Sequence, residues 1–295
     1  MSPATGLFTI ADHVVELVFT DTSINSMELL PSLEPFRTTD ATAEPLLRLT
    51  IDDELRPIPK EQRERIRNFE TGNGDTIVDE IKTGGYQYII KNLQGYPCCL
   101  LQCDEAFKDC RCALNGSFNM RRFGLNNALM MAYAFAASFH QTLLLHASTV
   151  RHNGKGYAFI AKSGTGKSTQ VSMWLRYIDG CDLMNDDNPI VRVIDGQIFI
   201  YGTPWSGKTP CYRNIKVPLG AITRIARAPE NSIVREKPIN AFASFLPSCA
   251  SMKWDEEIYR RTGDTITYII EHLPIYTLHC LPNKDAALLC QQTIT

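Results

Sequence analysis

The stretch Gly156–Thr169, with the sequence GYAFIAKSGTGKST, constrains the fold of this chain more than any other. Its first part, Tyr157–Ile160, is a short apolar run that predicts a buried strand, and the residues from Lys167 onward have the apolar spacing of a helix. The small residues between them let the backbone turn sharply and direct successive N–H groups at one anion. A strand, a glycine loop and a helix in this order predict a phosphate-binding loop.

The loop residues have distinct expected roles toward a nucleoside triphosphate. Lys167 would reach the β- and γ-phosphates, and the Ser168 hydroxyl would ligate Mg²⁺. The pattern departs from the full motif at its first position, where Ala161 replaces glycine. The alternative is a glycine turn capped by a helix with an exposed lysine. The residues predicted to bind ATP are Ser163, Gly164, Thr165, Gly166, Lys167, Ser168 and Thr169, together with Lys208 from a later loop.

Two adjacent aspartates, Asp186 and Asp187, follow the loop within the run Asn185–Asn188. Phosphoryl transfer needs in-line positioning, neutralisation of charge by Mg²⁺ and lysine, and a group that accepts the proton of the nucleophile. Two carboxylates at the end of a strand can supply a metal-directed anion and a base. The alternative is a solvated turn, for which the same residues are also suitable.

The strand that leads into the loop is predicted to be the second arm of a hairpin. Leu143–Val150 has the pattern of a buried strand, and Asn153–Gly156 provides a turn before the chain returns as Tyr157–Ala161. In the commoner P-loop enzymes this strand lies in a parallel sheet with crossover helices. The hairpin therefore predicts a different, mixed-sheet nucleotide-binding fold.

These features together resemble the catalytic core of bacterial HPr kinase/phosphorylase and its relatives, which share a fold with phosphoenolpyruvate carboxykinase. His146 precedes Lys167 by twenty-one positions, the interval found in those kinases, and Asp186-Asp187-Asn188 matches the aspartate pair of the family. At Thr169 the chain carries the carboxykinase residue, whereas HPr kinases carry Glu. The resemblance covers residues 121–220 and implies an α/β fold (α+β, with a mixed sheet) containing a carboxykinase/HPr-kinase-like nucleotide-binding core.

The resemblance also assigns roles to the catalytic residues. Asp187 would be the base, Asp186 would lie on the metal side with Ser168, and Lys167 would bind the phosphates. His146 would lie near the transferred phosphoryl group, and a core histidine with its hydrogen bonds satisfied is the alternative.

A second loop, Gly202–Lys208, resembles a segment common in HPr-kinase-like proteins. It would close over the phosphates or the acceptor and place Lys208 near the γ-phosphate, and a plain surface loop is the alternative. HPr kinases place a magnesium-binding Glu in this general region. The chain has no Glu between Thr169 and Glu230.

The predicted function is an ATP-dependent, Mg²⁺-dependent phosphotransferase that moves the γ-phosphoryl group to a Ser/Thr hydroxyl of a protein or peptide. Such an acceptor is favoured because the β-rich N-terminal half offers a docking surface. Three alternatives stay open: a nucleotide-binding regulatory module without transfer, a kinase of small-molecule hydroxyls, and a decarboxylating carboxykinase. HPr kinases assemble as hexamers, so a homo-oligomer is one assembly that the resemblance implies.

Residues 1–120 are predicted to form a β-rich N-terminal domain with a docking or regulatory role, and residues 121–295 the catalytic domain. Short apolar or alternating runs predict strands at Leu7–Ile10, Val14–Phe19, Leu46–Ile51, Thr76–Ile81, Tyr86–Lys91 and Cys98–Gln102. Gly124–His140 predicts a buried helix at the start of the second domain. Five cysteines lie close together at Cys98, Cys99, Cys103, Cys110 and Cys112; free thiols on adjacent strands are favoured over zinc ligands.

After the aspartates, a DG turn between Ile190–Ile194 and Gln197–Tyr201 predicts a second hairpin. Further strands are predicted at Leu219–Arg224, Ile233–Glu236 and Ile275–Cys280, and helices at Asn240–Leu246, Asp255–Arg261, Ile266–His272 and Lys284–Gln292. Four arginines could contact phosphate, although a surface cation is the default interpretation of each: Arg224, Arg227, Arg260 and Arg261.

Charge and hydropathy limit the partners of the chain. A formal net charge of −2 gives no electrostatic argument for binding to nucleic acid or to an anionic membrane. No apolar run approaches about 20 residues, and Met1–Leu17 lacks the pattern of a signal peptide. Ten cysteines without a secretion signal indicate reduced thiols. We therefore expect a cytoplasmic protein that binds neither nucleic acid nor a membrane.

Overall fold

The computed structural model of the chain describes residues 3–40, 42–70 and 74–295. The chain divides into two compact units, Met1–Phe139 and His140–Thr295. Each unit contains its own mixed β-sheet, and five α-helices are present in the described residues. The fold is therefore mixed α/β, as the sequence predicts, while a carboxykinase-like core stays a prediction.

The N-terminal unit is built on an eight-stranded sheet. Its strands are β1 (Ala4–Ile10), β2 (His13–Phe19), β3 (Leu47–Ile51), β4 (Arg63–Glu70), β5 (Asp75–Ile81), β6 (Tyr86–Lys91), β7 (Pro97–Cys103) and β8 (Asp109–Leu114). They lie in the order β1-β2-β3-β8-β7-β6-β5-β4. β3 pairs in parallel with β2 and β8, and the other neighbours are antiparallel. The predicted strands of this half are all present.

The helix α1 (Phe118–Ser138) packs on this sheet. A Cβ atom at Gly124 would lie 2.8 Å from the carbonyl oxygen of Cys98, so glycine permits the helix to approach β7 closely. The hydroxyl of Tyr133 donates a hydrogen bond of 3.0 Å to a backbone carbonyl of β1. Because the helix packs here, the units divide after Phe139, whereas the sequence places the boundary near residue 120.

The five clustered cysteines are buried free thiols on β7 and β8. Cys103 lies opposite Cys110 in the antiparallel ladder. Burial raises the pKa of the Cys99 and Cys103 thiols well above its ordinary value. The cysteines therefore lie on adjacent strands, as the sequence predicts, and burial favours the protonated form of Cys99 and Cys103.

The C-terminal unit contains a nine-stranded sheet and the loop predicted to bind phosphate, which is called the phosphate loop below. Its strands are β9 (Thr142–Leu144), β10 (Ala147–His152), β11 (Lys155–Ile160), β12 (Asp182–Asp187), β13 (Ile190–Ile194), β14 (Gln197–Tyr201), β15 (Lys216–Arg227), β16 (Ser232–Arg235) and β17 (Ile275–Cys280). The main order is β12-β10-β11-β15-β14-β13-β9, and β17 joins β15 to β16. The β11–β15 and β15–β17 pairs are parallel.

Helices cover both faces of this sheet. They are α2 (Lys167–Tyr177), α3 (Pro238–Phe245), α4 (Glu256–His272) and α5 (Lys284–Ile294). α3 and α4 pack over a core that includes Ile222, while α2 and α5 pack over a second core that includes Ala221. Adjacent residues of β15 thus face opposite cores, because side chains alternate along a strand.

Both predicted hairpins are confirmed, as β10–β11 and β13–β14. One other prediction is wrong. The segment predicted as one strand over Leu143–Val150 is broken, since β9 pairs with β13 while β10 pairs with β11 and β12. The helical patterns predicted at Asp255–Arg261 and Ile266–His272 are both present and belong to the single helix α4, which continues through Gly263.

In the described residues, no helix has both the length and the apolar character that crossing a bilayer requires.

Candidate active site

Strand pairing brings the phosphate loop and the aspartate pair to the same end of the C-terminal sheet. Ala147 on β10 pairs with Ile160, the last residue of β11, and with Asp187, the last residue of β12. Paired strands lie about 4.8 Å apart. The start of the loop and the second aspartate are therefore only two strand spacings apart, with His146 next to the residue between them.

The phosphate loop between β11 and α2 has a backbone that requires glycine at two positions. The φ angles of Gly164 and Gly166 are +74° and +132°, in a region that L side chains rarely adopt. Ala161 is not among the residues with positive φ, which explains why alanine is accommodated at the first position of the loop. The helix α2 begins at Lys167, so its free N–H groups and positive dipole end face the loop.

Lys167 and Asp187 meet at the imidazole of His146. Nζ of Lys167 lies 3.0 Å from Nε2 of His146 and 3.3 Å from the carbonyl oxygen of Ala161. The same Nε2 lies 3.2 Å from Oδ1 of Asp187. Burial lowers the pKa of Lys167, and the nearby aspartates only partly oppose this effect. Three residues predicted to act together are thus in contact.

Asp187 is held as a carboxylate in a strained backbone conformation. Burial acts to raise its pKa, but the hydrogen bond with His146 and the charges of His146 and Lys167 outweigh burial and lower the pKa overall. The Asn188 amide donates a 3.0 Å hydrogen bond to Oδ2. The φ angle of Asp187 is +122°, which is unusual for a residue with a side chain. Such strain is typical of functional sites and persists only where neighbours fix the backbone.

Asp186 contacts the first turn of α2, next to the loop. This residue is buried, and its Oδ1 accepts hydrogen bonds from the hydroxyls of Ser148, at 2.8 Å, and Ser168, at 3.2 Å. Hard oxygen ligands suit Mg²⁺, which is usually held by one or two protein oxygens together with phosphate oxygens. Ser168 and Asp186 therefore fit the predicted metal site. Ser148 was missed at the sequence level, although its place two residues after His146 in an alternating strand is a usable signal.

The segment after β14 holds the backbone of the aspartate pair. The Ser206 hydroxyl donates a 3.0 Å hydrogen bond to the carbonyl oxygen of Asp186, and the Gly207 N–H donates to the same atom. A Cβ atom at Gly207 would lie 3.1 Å from Cβ of Asp187, so the approach is close. Lys208 is the next residue and is exposed. Its proposed contact with the γ-phosphate stays a prediction.

Arg227 braces the phosphate loop from β15. Its Nε donates a 3.0 Å hydrogen bond to the carbonyl oxygen of Thr165, and its guanidinium also binds the carbonyl of Gly164. These bonds occupy the carbonyls of Gly164 and Thr165, and Ser163 and Thr169 are exposed. The whole predicted loop therefore lies at one surface, next to the aspartates.

Comparisons with known proteins add little to this geometry. No family model matches the chain, and no curated protein matches it. Among solved structures, the Hpr(Ser) kinase/phosphatase from Coxiella burnetii matches over 50% of this chain and 86% of its own, at 10% sequence identity and a TM-score of 0.31. A similarity at this identity and TM-score does not establish a function for the chain, so the function is inferred from the contacts of the site.

Proposed function

We propose that the chain is an ATP-dependent phosphotransferase that moves the γ-phosphoryl group to a hydroxyl acceptor, with a Ser or Thr hydroxyl of a protein or peptide as the favoured one. The observation that supports this most directly is the contact of one imidazole nitrogen with both Lys167 and Asp187. The lysine belongs to the anion-binding loop, and the aspartate is the proposed base. An anion-binding group and a proton acceptor therefore face the same small space.

In the proposed reaction, the acceptor oxygen forms a bond to the γ-phosphorus while the bond from that phosphorus to the β–γ bridging oxygen breaks. ADP is the leaving group. Asp187 accepts the hydroxyl proton, and Lys167 offsets the negative charge of the β- and γ-phosphates. His146 orients the Asp187 carboxylate through its ring nitrogen. A positioned base of this kind typically accelerates transfer by about 10²–10⁴-fold.

Ser168 and Asp186, whose side-chain oxygens are 3.2 Å apart, would hold Mg²⁺. The bound ion would supply charge neutralisation on the phosphates. Ser148 keeps the Asp186 carboxylate oriented through its 2.8 Å hydrogen bond. The acceptor class, a homo-oligomer and a cytoplasmic location stay predictions.

The test separates transfer from nucleotide binding. In the variant Asp187→Asn we expect release or transfer of the label from γ-labelled ATP to fall by about 10²–10⁴-fold, while the Kd for MgATP changes little. Transfer is followed in a lysate of the host, where the labelled species also identifies the acceptor. Asp195→Asn, in the exposed turn between β13 and β14, is the matched control.

Two results would contradict the assignment. If Asp187→Asn lost MgATP binding together with transfer, or lost neither, Asp187 would not be the base. If the wild-type protein bound MgATP without any turnover, the regulatory-module alternative would hold. Turnover that required oxaloacetate would instead favour a carboxykinase.

A further inference from the structure

A cavity of about 650 Å³ adjoins the phosphate loop on the side of the sheet that α3 covers. Its lining includes His146, the loop residues Lys162 and Thr165, and Asn240 of α3. Cavities of roughly 300–1,000 Å³ are usual for ligands of small-molecule size. The proposed reaction assigns no ligand to this cavity.

The cavity lies at the end of the loop where the γ-phosphate is expected. His146 lines it, and Nε2 of this ring lies 3.0 Å from Nζ of Lys167, the atom expected to reach the β- and γ-phosphates. In a nucleoside triphosphate the nucleoside is at the opposite end from the γ-phosphorus. The cavity therefore adjoins the group that is transferred, which is where an acceptor must approach.

Arg224 supplies a positive charge to this cavity. It pairs with Ile160 across the β11–β15 ladder and, by strand alternation, projects to the same face as Ile222, toward α3. Arg227 projects to the other face and binds the loop instead. Within the part of the chain that the structure describes, the exposed Arg224 guanidinium makes no hydrogen bond or ion pair, so it can receive a ligand.

Two more charged groups line the same cavity. Lys162 is an exposed cation of the loop. Glu236 is an anion, and one of its oxygens accepts a 2.6 Å hydrogen bond from the hydroxyl of Thr277, the residue that pairs with Arg224 on β17. An anionic group of a ligand could therefore bind to Arg224 and Lys162. An N–H donor of the same ligand could bind to the Glu236 oxygen that Thr277 does not use.

We infer that this cavity binds the phosphoryl acceptor and that the acceptor carries a carboxylate near the hydroxyl that is phosphorylated, an inference that depends on the proposed function. A guanidinium binds a carboxylate through two parallel hydrogen bonds, which fixes orientation as well as position. Asp187, Ala147, Ile160 and Arg224 lie in register on successive strands, so Asp187 and Arg224 are about 14 Å apart at Cα.

An arginine side chain is long enough to cover part of this span when it extends along the cavity that it lines. A hydroxyl near Asp187 and a carboxylate at Arg224 therefore belong to one small hydroxy acid or to neighbouring residues of one peptide. Both sources share the same chemistry, and the experiment separates them.

The experiment measures binding of phosphorylated product analogues to the MgADP complex of the full chain. The small probes are O-phospho-L-serine and O-phosphoethanolamine, which differ in the carboxylate. The peptide probes are capped phosphoserine peptides in which the following residue is Asp or Asn. We expect the carboxylate-bearing member of at least one pair to bind about tenfold more tightly.

Variants assign this preference to the cavity. Arg224→Gln should remove it, and Arg224→Lys, which keeps the charge and lacks the bidentate geometry, should retain part of it. Arg235→Gln, an exposed arginine on β16, is the matched control and should keep the full preference. A preference in the small pair alone identifies a hydroxy-acid acceptor, and one in the peptide pair identifies an acidic peptide.

Other outcomes overturn the inference. Equal binding within both pairs by the wild-type protein would exclude a carboxylate requirement. If Arg224→Gln weakened MgADP binding and left the preference unchanged, the cavity would hold the nucleoside. Failure of the wild-type protein to bind MgADP at all would reject the proposed function itself, so the two failures are distinguishable.

Discussion

Nζ of Lys167 lies 3.0 Å from Nε2 of His146, and that same nitrogen lies 3.2 Å from the carboxylate of Asp187. A ring nitrogen either accepts a hydrogen bond through its lone pair or donates one through its N–H. It therefore cannot satisfy the ammonium and the carboxylate at the same time. Lys167 and Asp187 therefore compete for one nitrogen atom, and a bound phosphate would end this competition by giving the lysine a stronger partner.

The first prediction concerns the protonation of this nitrogen. When MgADP or MgATP binds, Lys167 should turn to the phosphates and Nε2 of His146 should carry a proton donated to Asp187. The ¹⁵N chemical shift of Nε2, measured by NMR on histidine-labelled protein, should move toward the value of a protonated nitrogen on titration with nucleotide. His279, on β17, provides an internal reference that should not move. An unchanged His146 signal at saturating nucleotide would contradict this switch.

The second prediction concerns the pH dependence of transfer in His146→Ala, which leaves no donor in place of Nε2. Removal of the ring removes a hydrogen bond and a charge that lower the pKa of Asp187, so this pKa should rise. Because Asp187 acts in its ionised form, the acid limb of the pH–rate profile should move to higher pH. Transfer near neutral pH should fall by about 10- to 100-fold, as for loss of a hydrogen bond to a charged group. A lower rate with an unmoved acid limb would show that His146 does not act through Asp187.

The third prediction concerns nucleotide affinity at alkaline pH. Burial holds the pKa of Lys167 below its ordinary value of 10.5. Since only the charged ammonium neutralises phosphate, the affinity for ATP should begin to fall as the pH rises through this lowered pKa, before pH 10.5 is reached. Titration with ATP over the alkaline range measures the effect. The Lys167→Arg variant stays charged over this pH range, so its affinity for ATP should not fall. A wild-type affinity that stayed constant up to pH 10.5 would contradict the lowered pKa of Lys167.

The fourth prediction concerns the backbone of Asp187. A non-glycine residue in an unusual φ/ψ region destabilises the folded state by about 1–3 kcal/mol, and glycine removes this strain. Glycine also makes the unfolded chain more flexible, which lowers the free energy of unfolding by about 0.4–1 kcal/mol. Asp187→Gly should therefore have a free energy of unfolding about 1 kcal/mol above that of Asp187→Ala. Urea denaturation of the two variants, which lack the carboxylate equally, measures the difference. Equal or reversed stabilities would show that the φ angle of +122° carries no strain.

The local features of the C-terminal unit could be predicted from the sequence because short-range chemistry decides them. Asn153-Gly154 and Asp195-Gly196 adopt positive φ in the two hairpin turns, where few other residues fit. The spacing of Gly164, Gly166 and Lys167 likewise defines the loop. Such signals depend on a few neighbouring residues, so no knowledge of the rest of the chain is needed.

The features that were missed depend on distant parts of the chain. The break at Leu145-His146 arises because the N–H of His146 bonds to the carbonyl of Ser248, about a hundred residues later, while β9 and β10 pair with different strands. The support of Asp186 by Ser148 and Ser206 also requires the final strand order. The grouping of helix α1 with the N-terminal sheet also depends on distant residues, because an all-round apolar pattern does not state which sheet the helix covers.

The central position of β10 has a consequence for how this site can change. β10 pairs with β11, which leads into the phosphate loop, and with β12, which ends at Asp187. The distance between the loop and Asp187 is therefore fixed by strand pairing and does not require a bound nucleotide. Part of the cavity wall, by contrast, comes from β15, from α3 and from the residues after α3, outside these three strands. If the cavity binds the acceptor as proposed, substitutions in this part of the wall would change the acceptor and leave the three paired strands of the phosphate site unaltered.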